Sequence, residues 1–193
     1  DVPVTVEYQQ AKNDDETVAV NADLTPAVLK FSPFKYKKKI GQGGKVTANV
    51  LIQKGEVRRV NDLKILVDKG GSASGTLTFG RVGNDNDVKT GKFPNVTLAG
   101  ANNFVLDFTQ TTPNVFDVII TGKQLDARPF LGSGRSIDKD IADTKDGSIV
   151  NATVKVSQMK TGDRPDALLT SPNVSLKTNA AGDVAFLDLN GAF

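Results

Sequence analysis

The feature that most constrains this chain is alternation. "KVTANVLIQ" puts Val46, Ala48, Val50 and Ile52 on one face of an extended segment, and "DLKILVD" does the same with Leu63, Ile65 and Val67. The pattern returns at Leu77 and Phe79, at Phe104, Leu106 and Phe108, at Phe116, Val118 and Ile120, and at Val150, Ala152, Val154 and Val156. A period of two, rich in Val, Ile, Phe and Thr, is the signature of strands with one buried face. Turn chemistry separates the runs, with turns expected at Gly41–Gly44, Lys54–Gly55, Lys69–Gly75, Gly83–Lys92, Thr111–Asn114, Asp146–Gly147 and Ala180–Asp183. The best helical candidate is short: Ser136–Lys145, with Ser136 as cap and Ile137 and Ile141 four residues apart. Many short strands with regular turn signals predict an all-β sandwich.

At 193 residues the chain is long enough to bury a core without staples, and one domain is the simplest reading. A formal charge of +2 gives no argument for nucleic acid, and no nucleic-acid partner is expected. The chain has no His, Cys or Trp. Ser-His-Asp and Cys-His nucleophile systems and the common zinc sites are therefore excluded. Carboxylate chemistry survives that exclusion, yet nothing marks a particular pair, so neither an enzyme nor a cofactor is expected. A chain that opens on Asp1 instead of Met is expected to be an exported product freed from a signal peptide.

Three motifs read as structure before chemistry. "GQGGK" (Gly41–Lys45) has the glycines of a phosphate loop, but Val46 stands where Ser or Thr is required and a strand follows, so it reads as a hairpin turn. The acidic groups Asp85 and Asp87, and Asp138, Asp140, Asp143 and Asp146, lack the closing Glu of a calcium loop and read as solvated loops. Lys35, Lys37, Lys38 and Lys39, interleaved with Phe34 and Tyr36, form a candidate polyanion patch. Lysines also guard exposed strand edges or lie in solvated loops, and that is the favoured reading of this run. Sequons at Asn95, Asn151 and Asn173 matter only for a secreted eukaryotic protein.

Both ends of the chain read as strands. "DVPVTVEYQQ" sets Val2, Val4, Val6 and Tyr8 on one face, and a polar stretch, "QQAKNDDET", separates it from the next run. "GDVAFLDLNGAF" sets Ala185, Leu187, Leu189 and Phe193 on one face after Gly182. An amphipathic strand beside a polar hinge can pair within its own body or complete the sheet of a neighbour.

A short alternating leading segment, an all-β body and an alternating final strand resemble the major subunits of chaperone–usher pili. The likeness is to the cysteine-free branch of colonisation-factor and Escherichia common pilus type. It covers architecture and both ends, about a quarter of the residues, with segments such as "VLKFSPF" and "GKVTANVLIQ" loosely similar. The length and the run Lys35–Lys39 depart from it.

The resemblance implies an immunoglobulin-like sandwich that lacks one strand and is completed by donation from a neighbouring subunit. Residues 1–13 would be donor strand and hinge, and 14–193 the sandwich. Val2, Val4, Val6 and Tyr8 would fill the groove, and Ala185, Leu187, Leu189 and Phe193 would line its wall. Identical subunits would be joined head-to-tail in a secreted, cell-surface fimbrium that supports adhesion. A periplasmic chaperone and an outer-membrane usher would act during assembly, and a host glycan or protein receptor is a candidate partner. The competing readings are a glycan-binding β-sandwich adhesin module, which two Tyr and no Trp disfavour, and a phage or viral decoration or tail protein.

Overall fold

The computed structural model describes residues 1–10, 15–31, 36–82, 85–98, 102–128, 147–164, 167–180 and 184–192. Every element in them is a β-strand: β1 (Val4–Gln10), β2 (Asp15–Asp23), β3 (Leu29–Phe31), β4 (Tyr36–Lys38), β5 (Gly44–Gln53), β6 (Glu56–Val67), β7 (Gly71–Val82), β8 (Asp85–Leu98), β9 (Asn102–Thr112), β10 (Val115–Asp126), β11 (Ile149–Lys160), β12 (Leu168–Thr178) and β13 (Val184–Ala192). The chain is all-β, as the alternation predicts. Eleven strands form one sheet in the order β1-β2-β5-β6-β7-β8-β9-β10-β11-β12-β13, and β3 and β4 form a separate hairpin. All neighbours are antiparallel except β10 and β11, which run parallel and therefore need a crossover between them.

Local chemistry sets the hairpins. Lys54 and Gly55, with φ of 52° and 74°, join β5 to β6 in the two-residue form whose twist matches the strands it connects. Pro113 and Asn114, the latter at φ 61°, join β9 to β10 with the residues a type II turn asks for. "GQGGK" is a turn leading into β5, as its sequence suggested. The turn expected over Gly83–Lys92 is overturned, because β8 begins at Asp85 and pairs with β7 from Val82↔Asp85 onward. The expected turn Lys69–Gly75 is also too long, since β7 starts at Gly71. The helix expected over Ser136–Lys145 lies outside the described residues, as do residues 11–14 of the expected hinge.

One apolar row crosses most of the sheet: Val4, Ala22, Val46, Ile65, Ala73, Val96, Phe104, Gly122 and Val156 are successive cross-strand partners. A second row, Phe93, Leu106, Ile120, Val154, Val174 and Leu189, carries the same face to β13. The buried cluster lies on this face, built from Val96, Phe104, Ile120, Leu125, Val154, Val156, Met159, Leu169 and Val174. Burial this deep on one face requires the sheet to bend over it, and β-bulges between Val60 and Leu63, Phe93 and Val96, and Gly122 and Gln124 supply bends. Small residues make room for large ones. Phe108 lies across Gly91, its direct partner, and Phe93 lies over Gly75. Arg128 ties one end of the sheet together, its Nε donating to Asp126 Oδ1 at 2.9 Å and its guanidinium reaching Asp163 on the loop after β11. Burial raises the Asp126 carboxyl, but the Arg128 hydrogen bonds and charge outweigh it and hold that carboxyl below the ordinary carboxylate range.

Candidate functional site

The two ends of the apolar rows are the two outer strands of the sheet, β1 and β13. The same face that is closed in the middle is open at both margins. Phe104 is 2% exposed and Val156 4%, whereas Val4, Val6 and Tyr8 are 54–56% exposed and Leu187 and Leu189 are 47% and 44%. Val2, just before β1, is also exposed. Every residue of β1 is exposed, although the strand is fully formed.

Within the chain, β1 lies antiparallel on its own β2, with Val4 opposite Ala22, Val6 opposite Val20 and Tyr8 opposite Val18. Pro3 precedes the ladder and contributes its carbonyl, which accepts from Asp23 N at 3.0 Å; its missing N–H is never called upon. Pairing in cis satisfies the outer backbone row of β2 and, among the described residues, leaves the second row of β1 unpaired. Partial burial, then the nearby Glu16 carboxylate, raise the Tyr8 hydroxyl.

At the far margin, among the described residues, β13 pairs with β12 alone, with Leu187 opposite Leu176 and Leu189 opposite Val174. Ala185, Leu187 and Leu189 therefore continue the apolar face, as their alternation predicted, while Val184 and Phe186 stand exposed on the other. Phe193 lies outside the described residues. Among the described residues, two separate edges, each with one free backbone row and alternate apolar side chains, offer a surface for strand addition.

The expected polyanion patch does not hold together. Lys38 is fully buried, and its Nζ donates to the carbonyls of Ala27 at 2.9 Å, Lys39 at 3.2 Å and Thr25 at 3.4 Å. Its charge is spent on closing the loop between β2 and β3, because an ammonium taken from water must keep its donors satisfied. Lys37 is half-buried on β4, Lys39 is exposed in the loop beyond it, and Lys35 lies outside the described residues. Of the acidic groups, Asp87 accepts from Val88 N and from Gln110 Nε2, and no cluster fit for a metal ion occurs among the described residues.

An open groove of about 940 Å³ on β6 to β9 is the feature that reading the sequence missed. It collects Arg59 and Lys64 from β6 and Lys92 from β8. All three sit on the polar parity of their strands, which is the only signal the sequence gives. Comparison of the chain with protein-family models, with curated proteins and with solved structures finds no match.

Proposed function

We propose that this chain is a structural, non-catalytic subunit of an extracellular pilus-like filament, joined head-to-tail by donation of β1 to the free edge of β13 in the next copy. The observation that carries the reading is that one apolar face is closed mid-sheet and open at both outer strands. In this reading the fold is an incomplete immunoglobulin-like sandwich, and its missing strand comes from its neighbour.

The energetics favour transfer. In cis, β1 is held by one ladder and leaves Val4, Val6 and Tyr8 a little over half exposed. Full burial of such a side chain is worth about 1.5–3 kcal/mol. Transfer exchanges the ladder to β2 for one to β13, so the net gain is in the side chains: a groove that buries Val2, Val4, Val6 and Tyr8 fully adds roughly 3–6 kcal/mol over their half-exposed state in cis, before the cost of baring β2. The strand is already extended in cis, so little further ordering is needed. A contact between two different edges does not close on itself, and its repetition gives an open fibre. Before assembly the open face needs cover, the task of the periplasmic chaperone and usher in the pilus family that the sequence resembles.

Deletion of residues 1–10 tests this. Electron microscopy of the full chain is expected to show filaments. The shortened chain is expected to fold but not polymerise, and to take up a peptide of residues 1–10. Filaments from the shortened chain would overturn the proposal.

A further inference from the structure

We propose that the groove on β6, β7, β8 and β9 binds a segment of an anionic glycan, sulfated or carboxylated, through Arg59, Lys64 and Lys92. The strand register assembles the site. Lys64 faces Ser74, Thr78 faces both Arg59 and Thr90, and Thr76 faces Lys92. Three cations are thus interleaved with four hydroxyl side chains on one polar surface lining the 940 Å³ groove.

Among the described residues, the side chains of Arg59, Lys64 and Lys92 form no ion pair and no hydrogen bond. That distinguishes them from Lys38, whose ammonium is fully engaged. Two carboxylates share the groove. Asp62 accepts from Asn49 Nδ2 at 3.0 Å, and Asp107 stands opposite Lys92 on β9 without an ion pair to it. Three cations to two carboxylates leave the positive sign in excess, and both exposed lysines are free to turn toward a ligand.

The spacing suits a ligand with more than one anionic group. Lys64 and Lys92 are two strands and two residues apart, as are Arg59 and Lys92, which puts each pair of Cα atoms about 12 Å apart at ordinary strand spacings. At that spacing the three long side chains can each take a different anionic group of one ligand, and a chain carrying several such groups gains a charge-assisted hydrogen bond at each. The hydroxyls of Ser74, Thr76 and Thr78 suit sugar hydroxyls between those groups. Among the described residues the groove's lining holds no aromatic side chain on which the bases of a single-stranded nucleic acid would stack.

The test is calorimetric titration of the full chain with a sulfated heparin-type hexasaccharide, an uncharged glucan hexasaccharide and a single-stranded oligonucleotide of matched charge. Binding of the sulfated glycan alone is expected, weakening as salt rises. Lys64→Gln with Lys92→Gln is expected to weaken it at least tenfold, while Lys37→Gln with Lys39→Gln leaves it unchanged. Circular dichroism and melting check that both variants fold, and amide shifts at Thr76 and Thr78 on titrating the unaltered chain locate the ligand independently. No binding, equal binding of the oligonucleotide, undiminished binding by the groove variant, or amide shifts confined to other strands would overturn the proposal.

Discussion

Replacing Gly71 with Ala tests the register on which both the sheet and the groove depend. Gly71 opens β7 at φ 123° and lies directly opposite Leu98 on β8. A methyl group there would run into the Thr97 carbonyl oxygen and sit 2.8 Å from the Thr97 carbonyl carbon and 2.9 Å from Leu98 Cα. These are backbone atoms of a paired strand, so they cannot swing aside. The unfavourable φ costs about 1–3 kcal/mol. Overpacking against the partner strand adds about 1–3 kcal/mol. For a chain of this length a loss of 1 kcal/mol lowers Tm by roughly 2–4 °C, so a fall of roughly 5–20 °C is expected by calorimetry. Gly55→Ala is the control. It has φ of 74° and no atom within 4 Å of the new methyl, so only the backbone cost of about 1–2 kcal/mol remains. Gly71→Ala melting at or above the temperature of Gly55→Ala would refute the pairing of β7 with β8 described here.

Two further outcomes follow from particular side chains. Because the folded Asp126 carboxyl titrates below its ordinary value, the unfolded chain takes up that proton first as pH falls. Its contribution to stability is complete above about pH 5 and is lost as pH falls through the ordinary carboxylate range toward the folded value. Urea midpoints against pH are expected to fall there for the unaltered chain and to fall less for Asp126→Asn; equal slopes would contradict the Arg128 contact as its cause. Separately, the cysteine-free sequence allows a clean lock. Val6→Cys with Val20→Cys places two thiols on directly paired residues, and the oxidised chain is expected not to polymerise until a reductant frees β1. Filaments from the oxidised, locked chain would show that β1 joins copies without leaving β2.

The strands were legible wherever one face is apolar and the other polar. "KVTANVLIQ" is β5 but for its first residue, and "VFDVIIT" lies wholly within β10. β8 was hidden because "DNDVKTGKF" has the composition of a turn, and tertiary pairing on both sides overrides that preference. Gly91, which looked like a breaker, is the gap that Phe108 fills. β12 was hidden by Pro172, which sits where the pairing of β12 with β13 skips between Thr170 and Asn173. The two edge strands could be read as amphipathic, but their places at opposite margins of one sheet belong to topology. Nothing in the run of lysines marks Lys38 for burial, because its three acceptors are backbone carbonyls, two of them in the loop after β2. The groove cations meet only through register, a long-range property that no local pattern encodes.

The central claim, that the leading strand of one copy lies beside the last strand of another, is met most directly by cross-strand thiols. Leu187→Cys on β13 is combined in turn with Val4→Cys, Val6→Cys or Tyr8→Cys on β1, which samples the alternate registers of one face. The partnered residues lie on opposite outer strands of the same chain, so a disulfide within one copy would have to span the whole sheet. Oxidation of the assembled protein is expected to give a ladder of covalent oligomers on a non-reducing gel for at least one pair, and none for either single substitution in that pair. Assembled protein that yields only monomers for all three pairs would contradict the account.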